Sequence, residues 1–413
     1  MYLTREEEKI LAGEYGEAAR ICMEMLVKLG DFYDAEHMVP LSMGYWNFTG
    51  PSPLSVCKGE RGKNLEWLIQ MIEKGAKFRV PTYLPYPPSG TFQSEMLKKL
   101  GAIAMYGGGG GHPRNIMVYP VFGQNIIADG TAITHYMNSY IGARSDTMDF
   151  AMQFAALVCG RIPKFGFYNP ENRVGKILVN VETRLNDETD WSAMGYYISR
   201  TISTHYWDVP VFNNINPKDI TYDALVTFSS SIPSYGAVVH SLTVGVSPEA
   251  RTLEEAFRGD KPQEVITFGR NELEWVYELF APPGGRPDLV SFGGFGMDLS
   301  INMVMKIARV VEGKKVKVPT VVSMTPSVRG AADAMGLTDI LRAAGIKLSW
   351  EEYLEERGLK GRPYQIVNSA KRLGLYTIVF IEAKLCHYIG NQDINPVLLP
   401  VEKAAEVAVK GEF

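Results

Sequence analysis

Residues 289–344 read LVSFGGFGMDLSINMVMKIARVVEGKKVKVPTVVSMTPSVRGAADAMGLTDILRAA, and this stretch decides the fold. Short apolar runs alternate here with longer amphipathic ones. The pattern predicts strands at Leu289–Phe292 and Thr320–Ser323 and helices at Leu299–Val311 and Val328–Ala344. Strands separated by helices of this length are typical of a parallel sheet with helices on its faces.

The same alternation continues on both sides of this stretch. It predicts strands at Val265–Phe268 and Tyr376–Ile381, with a helix at Glu272–Phe280. Nearer the N-terminus, strands are predicted at Lys176–Glu182 and near Phe78–Val80. The chain of 413 residues is therefore predicted to be an α/β protein, with length enough for two or three domains.

Composition excludes several classes of function. The chain has 42 basic and 46 acidic residues, a net charge of −4, and no long run of like charge that would attract nucleic acid. No apolar run reaches the roughly 18 residues of a membrane span, and the first ten residues lack a signal-peptide pattern. We therefore expect a cytoplasmic protein that binds neither nucleic acid nor membrane.

Four cysteines, Cys22, Cys57, Cys159 and Cys386, lie far apart in the sequence without any CxxC motif. This spacing predicts neither a disulfide framework nor a local zinc site. Cys22 and Cys159 fall on predicted buried helices, where a core thiol is the simplest interpretation.

Ligands of parallel sheets bind beyond the carboxyl ends of the strands, where backbone N–H groups and helix N-termini are exposed. Candidate turns of this kind are Gly293–Gly294 and the segment that begins at Ser323. A dinucleotide site is not predicted, because Leu299 stands where the third glycine of the fingerprint would be.

A run of five glycines, residues 107–111, is the most unusual local feature of the chain. Ordering five glycines costs much conformational entropy. One interpretation is a backbone nest for a phosphate or carboxylate, in which Gly107, Gly108 and Gly109 would donate beside His112 and Arg114. A mobile surface loop is an equally open alternative.

Near the C-terminus, Glu382, Lys384, His387 and Tyr388 lie within seven residues at the end of an apolar strand. Together they offer a cation and proton-transfer groups at a strand end, although a purely structural cluster fits the composition as well.

Two arginines, Arg144 and Arg173, are candidate clamps for an anion, because guanidinium matches carboxylate or phosphate bidentately. A surface ion pair is the alternative for each.

Several segments, in this order, resemble the large (catalytic) subunit of the aconitase X family. They include MYLTREEEKILAGEYGEAARICMEMLVKLG (residues 1–30), VPTYLP (80–85), PVFGQNIIADGTAITHYMNSYIGARSD (120–146), GRIP, NPENRVG, PDLVSFGG and EAKLCHYIG, the last similar to the family pattern NSAKxxHYxxG. The resemblance covers essentially the whole chain.

The resemblance implies an aconitase-like fold of several α/β lobes with parallel sheets around a central cleft. The lobes would span about 1–120, 121–260 and a doubly wound 261–413. A swivelling domain, often a separate small subunit in the family, would be absent here. Family members are lyases that dehydrate small hydroxy acids, among them phosphomevalonate and hydroxyprolines.

The family's iron–sulfur cluster is held by three cysteines, and this chain departs from the pattern at all three. The corresponding segments read MYGGGGG (105–111) and FGGFG (292–296), and no cysteine occurs between Cys159 and Cys386. We therefore predict that no cofactor is bound, whether the family's [4Fe-4S] cluster or a related iron cofactor. A substitute metal site made by Cys57, Cys159 and Cys386 is the alternative left open.

The family scaffold also suggests roles for individual residues. Lys384, His387, Tyr388 and Asp129 are the predicted catalytic groups, Asp129 standing in a segment that otherwise differs from the family's AESNA-like stretch. The residues predicted to bind a small carboxylate substrate are Asn138, Ser139, Arg144, Arg173, Gly107, Gly108, Gly109, Gly293, Gly294 and Ser323.

Three functions remain open from the sequence. The first is a cluster-free lyase that works with a separate small swivel-domain subunit. The second is an isomerase or other proton-transfer enzyme on the same scaffold, and the third is a non-catalytic subunit.

Overall fold

The computed structural model describes residues 1–46, 60–85, 92–105, 113–115, 118–203, 207–236, 238–293, 299–358, 370, 373–390 and 393–413. Three four-stranded sheets in which every pairing is parallel dominate this part of the chain. The α/β class and the parallel sheets are confirmed.

The first lobe contains the sheet with strand order β4-β3-β2-β5. Its elements are α1 (Arg5–Leu11), α2 (Glu17–Phe32), β1 (Met38–Pro40), β2 (Met43–Tyr45), α3 (Glu60–Glu73), β3 (Thr82–Pro85), α4 (Phe92–Leu100), β4 (Ile103–Met105), β5 (Ile126–Ala128), α5 (Thr131–Tyr136), α6 (Phe150–Cys159) and β6 (Arg161–Pro163). Helix α6 packs closely over the sheet at Gly44, as shown by the 2.3 Å that would separate a Cβ at this position from Leu157 Cδ2. A larger residue at position 44 would therefore push the helix away.

The second lobe has the strand order β10-β7-β8-β9. Its elements are β7 (Gly175–Val181), α7 (Glu188–Thr201), β8 (Val209–Asn213), α8 (Tyr222–Ser231), β9 (Leu242–Thr243), α9 (Leu253–Phe257), β10 (Glu264–Phe268) and α10 (Arg270–Leu279). Strand β7 alternates between buried and half-buried residues along its whole length, as the sequence pattern predicts.

The third lobe has the strand order β12-β11-β13-β14. Its elements are β11 (Leu289–Phe292), α11 (Ile301–Val311), β12 (Thr320–Val322), α12 (Pro326–Ala334), α13 (Leu337–Ala344), α14 (Trp350–Glu355), β13 (Thr377–Phe380), α15 (Ala383–Gly390), β14 (Asn395–Leu398) and α16 (Val401–Lys410). Its core is shared with the second lobe, since Tyr196 and Val276 pack in one cluster with Phe380 and Leu385.

Two predicted elements are wrong in detail. The single helix expected over Val328–Ala344 is two helices, because Gly336 adopts a φ of +70° between them. The strand expected near Phe78–Val80 lies at Thr82–Pro85, where Tyr83 pairs with both Tyr45 and Ile103.

Sheet membership also bears on the lobe boundaries expected near 120 and 260. Strand β5 belongs to the first sheet and strand β10 to the second. The first sheet therefore extends past residue 120 to Ala128, and the second past residue 260 to Phe268. A lobe is therefore defined here by its sheet and the helices around that sheet, while the division of the chain near residues 120 and 260 stays a prediction.

Each sheet reverses its strand order once, next to its first strand. The reversals lie between β2 and β5, between β7 and β10, and between β11 and β13. Crevices form at such points beyond the carboxyl ends of the strands. The residues that follow these ends, among them Asp129 after β5 and Glu382 after β13, are therefore placed where ligands bind in parallel sheets.

Within the described ranges, no helix is long and apolar enough to cross a membrane.

Candidate active site

Lys384 connects the ends of two sheets. It is the second residue of α15, which begins three residues after β13 ends, and only 6% of its surface is exposed. Its Nζ donates a hydrogen bond to Thr131 Oγ1 at 2.9 Å, and Thr131 is the first residue of α5, three residues after β5 ends. The Lys384 ammonium thus lies where the first and third lobes meet.

The second lobe contributes to the same junction through serines. The backbone N–H of Ala383 donates to Ser192 Oγ at 2.8 Å, and Ser192 in turn contacts Ser231 Oγ at 2.6 Å. Ser230, the neighbour of Ser231 on α8, donates its hydroxyl to Glu382 Oε1. The start of α15 is therefore held by polar side chains of the second lobe.

Glu382 and Lys384 are two buried residues of opposite charge that stand two positions apart in the chain. Glu382 is 1% exposed, and burial raises its pKa, while the charges of Lys384 and Arg114 and the Ser230 hydrogen bond oppose this shift. Burial lowers the pKa of Lys384, and the Glu382 carboxylate opposes that shift. Each charge therefore favours the charged form of the other group, against the larger effect of burial.

A second buried ion pair joins all three lobes. Arg114 Nη2 donates to Asp223 Oδ1 at 3.0 Å, and the two side chains are only 4% and 9% exposed. Asn302 Nδ2 of α11 donates to the other carboxylate oxygen, Asp223 Oδ2, at 3.1 Å. The charge of Arg114 also opposes the effect of burial on the pKa of Glu382.

Asp129 follows strand β5 of the first sheet. Its Oδ1 accepts a hydrogen bond from Gln153 Nε2 at 3.3 Å, and its backbone N–H donates to Tyr45 O at 2.8 Å. Asp129 stands two positions before Thr131, the residue whose hydroxyl accepts from Lys384 Nζ.

His387 and Tyr388 lie one turn further along α15. The His387 ring packs on Tyr235 with ring centroids 4.5 Å apart, and burial and the charge of Arg200 lower its pKa. Tyr388 is 38% exposed, and Lys384 Nζ lies 5.7 Å from the centroid of its ring. His387 therefore faces aromatic side chains of the second lobe.

Asn138 and Arg173 are bound to each other and to their surroundings. The Asn138 amide donates to Ser145 O at 2.9 Å and to Val239 O at 2.8 Å, and its Oδ1 accepts from Arg173 Nη1 at 3.1 Å. The remaining Arg173 donors reach Asn138 O and the Glu249 carboxylate. In this structure Arg173 is therefore bound to Asn138 and Glu249, and its role as an anion clamp stays a prediction.

Ser139 belongs to the same internal network. It accepts from the Ser241 N–H at 3.0 Å and contacts His135 Nε2 at 3.3 Å. His135 is fully buried, and burial lowers its pKa to about 3.

Arg144, the other candidate clamp for an anion, differs from Arg173 in the contacts of its guanidinium. Its half-buried guanidinium has no hydrogen bond or ion pair within the described ranges. Its backbone, however, flanks Asn125 at the start of β5, whereas Asp129 follows the end of that strand. Arg144 therefore lies near the start of β5, whereas Lys384 contacts Thr131, which follows the end of that strand.

Two further candidates lie at strand ends of the third sheet. Gly293 follows β11 with a φ of +74°, and the N–H of Ser323 donates to Phe292 O at 2.8 Å. The candidates Gly107, Gly108, Gly109 and Gly294 lie outside the described residues, as does Cys57.

Sequence reasoning missed Thr131, Ser230, Asp223 and Asn302. Each acquires its role from a partner at least 79 positions away, so no local pattern could have indicated it. Arg114 and Glu382 were noted for their positions, although not selected as site residues.

The described thiols do not fit the family's cluster. Cys22 and Cys159 pack in the core of the first lobe, while Cys386 packs in the core shared by the second and third lobes. Burial raises the pKa of all three, which disfavours the thiolate form that binds iron. Among the described residues there is no group of three His, Cys, Asp or Glu able to hold a metal ion.

Three parallel-sheet lobes that bring polar side chains together at their strand ends define a protein of aconitase-like architecture. Family models for the aconitase X first and second domains match residues 1–101 and 175–278. The chain belongs to the aconitase X family.

Individual relatives agree with this assignment. The phosphomevalonate dehydratase large subunit of Thermococcus kodakarensis is 29% identical over 91% of this chain and 95% of its own length. The cis-3-hydroxy-L-proline dehydratase of Pseudomonas aeruginosa is 24% identical over 83% of this chain and 60% of its own length. The crystal structure of Thermococcus kodakaraensis aconitase X in its holo-form superimposes with a TM-score of 0.79, at 28% identity, over 99% of this chain and 100% of that one.

Proposed function

We propose that this chain is the large subunit of a dehydratase-type lyase. Its substrate would be a small carboxylate that is either phosphorylated or built on a cyclic amino acid. The observation that carries this proposal is the match to dehydratases along 95% of the length of the phosphomevalonate enzyme's large subunit and 60% of the hydroxyproline enzyme. Both kinds of relative are named for the elimination of water.

Two predicted catalytic residues have the chemistry that such an elimination needs. One group must take a proton from carbon, and another must deliver a proton to the departing hydroxyl. Asp129 and Lys384 carry opposite charges at the ends of adjoining sheets, and the Lys384 ammonium is held in place by Thr131. We assign proton transfer to this pair, with His387 and Tyr388 as further candidates on the same helix.

We also propose that the reaction proceeds without an iron–sulfur cluster. Support comes from the sequence, which has no cysteine between Cys159 and Cys386, and from the buried places of the described thiols. Electrostatic stabilisation of a carboxylate-derived intermediate would then rest on side chains and backbone N–H groups. Iron and acid-labile sulfide analysis after anaerobic purification tests this, and stoichiometric iron with sulfide would contradict it.

A separate small subunit is part of the proposal. Relatives that match nearly the whole chain are named large subunits, which indicates that they work with a smaller partner. A lid of this kind would exclude water from the site and strengthen its electrostatics. Isolation of the chain from its native host as a fully active monomer would count against the partner.

The direct test is product analysis with phosphomevalonate and with cis-3-hydroxy-L-proline as substrates. A product lighter by one water molecule supports a dehydratase, whereas a product of unchanged mass would indicate the isomerase alternative. Lys384→Met should lower turnover about 100-fold, on the ~3 kcal/mol scale of a lost transition-state contact. Lys403→Met is the matched control, because that exposed lysine pairs with Glu406 on its own helix α16 and with no other acidic residue in the described ranges. Equal activity of the two variants would remove Lys384 from the site.

A further inference from the structure

Thr131 is the hydrogen-bond partner of a buried ammonium. Its Oγ1 accepts from Lys384 Nζ at 2.9 Å, and Lys384 is only 6% exposed. Because a lysine ammonium has donors and no acceptor, the Thr131 hydroxyl can only accept in this bond. The hydrogen of that hydroxyl is therefore left to be donated elsewhere.

No residue of the described ranges accepts the Thr131 hydrogen. Thr134, one turn further along α5, shows the usual alternative, since its hydroxyl donates to the backbone oxygen of Ala128. Thr131 is half-buried and stands three residues after β5, next to the reversal of strand order between β2 and β5. Ligands of parallel sheets bind in the crevice at such a reversal, so a bound substrate is the acceptor that the Thr131 hydroxyl lacks.

Lys384 is able to supply a proton to Thr131. It forms no ion pair in the described part of the chain, either with Glu382 or with Asp129. On its own helix, the Cys386 thiol is buried, and the centroid of the Tyr388 ring lies 5.7 Å from Nζ. Burial lowers the pKa of Lys384, although the charge of Glu382 opposes this shift, and an ammonium with a lowered pKa gives up its proton more readily.

We propose that Thr131 is a catalytic residue that passes a proton from Lys384 to the hydroxyl group that leaves the substrate. The inference deepens the proposed function and rests on it, because Lys384 is the proton-transfer group assigned there.

The proton balance of the elimination follows from this assignment. Asp129 takes the proton from carbon, and the electron pair of that C–H bond forms the new double bond. The C–O bond breaks, and its electron pair goes to the oxygen. The Thr131 hydroxyl gives its proton to that oxygen, so that water leaves. Lys384 replaces the proton on Thr131 Oγ1 and becomes a neutral amine.

The first test needs no substrate, because the same relay carries hydrogens of the buried Lys384 ammonium to water. Nuclear magnetic resonance of protein with isotope-labelled lysine measures this exchange, and the Lys384 signal is identified by its loss in Lys384→Met. The exposed Lys403, which pairs with Glu406, is the internal reference.

Thr131→Val keeps the shape of the side chain and removes the hydroxyl, so exchange of the Lys384 hydrogens should slow several-fold. Thr131→Ser keeps the hydroxyl and should stay near the wild-type rate. A bond that only anchors Lys384 predicts the opposite, since release of the ammonium would speed exchange. Faster or unchanged exchange in Thr131→Val would overturn the proposal. Thr131→Ala, which also lacks the hydroxyl, answers the same question if Thr131→Val does not fold.

The second test uses the leaving group. Thr131→Val should lower kcat for dehydration about 100-fold, the low end of the effect of a lost general acid, and Thr131→Ser should restore most of it. An analogue with fluorine in place of the departing hydroxyl releases fluoride, which needs no proton, so Thr131→Val should convert it at nearly the wild-type rate. Equal losses on both compounds would contradict the relay. If wild-type protein converts neither compound, the proposed function fails, and the exchange rates alone decide whether Thr131 relays protons.

Discussion

Breaking the Arg114–Asp223 ion pair should destabilise the whole chain, and replacing both partners should not. Asp223→Leu removes the carboxylate that accepts from Arg114 Nη2 and the acceptor of Asn302, in a pair whose side chains are 4% and 9% exposed. Removing one partner of a buried ion pair costs about 3–5 kcal/mol, and the lost Asn302 bond adds about 1 kcal/mol. Arg114→Met should cost a similar amount, about 3–5 kcal/mol, because it removes the cation that pairs with the buried Asp223 carboxylate.

The double variant Arg114→Met/Asp223→Leu decides the question. Apolar replacement of both partners of a buried ion pair is often close to neutral. The loss of stability in the double variant should therefore be smaller than the sum of the two single losses by about 2 kcal/mol or more. Urea titrations of the four proteins, followed by tryptophan fluorescence and circular dichroism, give the coupling energy. Additivity within about 0.5 kcal/mol would show that the pair contributes no interaction of its own, and the reasoning from burial would fail.

Two further predictions concern packing and pH. Gly44→Ala should lower the free energy of unfolding by about 1–3 kcal/mol, because its Cβ would lie 2.3 Å from Leu157 Cδ2. Gly330→Ala on α12 is the control: its Cβ meets nothing within 4 Å, so the change should be neutral or stabilising. Thermal melts of both variants measure the difference. His135, with a pKa lowered to about 3 by burial, titrates near 6.5 when unfolded, so the folded state should lose about 2 kcal/mol between pH 7 and pH 5 on this account. Urea titrations at both pH values should show that His135→Gln lacks this share of the pH dependence, and an identical dependence in variant and wild type would contradict it.

Local signals in the sequence predicted most of the secondary structure. Thr4 caps α1 in a capping box with Glu7, and Gly160 ends α6 in the left-handed conformation. Each of these signals needs only neighbours within a few residues. The alternation of strands and helices likewise predicted the parallel sheets, because the spacing of apolar residues that identifies a strand or a helix lies within that one element.

The sequence indicated candidate residues by position and by resemblance. Lys384 was selected because it follows a strand end, and Asp129 because its segment stands where the family has the AESNA-like stretch; their roles stay predictions. The partner of Arg173 could not be predicted, because Glu249 is 76 positions away and no pattern near Arg173 indicates a carboxylate there. The sequence shows which residue carries a charge, while the tertiary structure determines whether another residue of opposite charge already pairs with it.

The bond between Lys384 and Thr131 has a consequence for the order of folding. It joins residues 253 positions apart, which lie on helices that follow strands of different sheets. Contacts of such large sequence separation form late, since the chain must first close a long loop. A partly folded chain with one or two native lobes can therefore have normal helices and a well-packed core and still lack the site. Recovery of activity on refolding should accordingly lag behind recovery of secondary structure, with the last docking of lobes setting the rate.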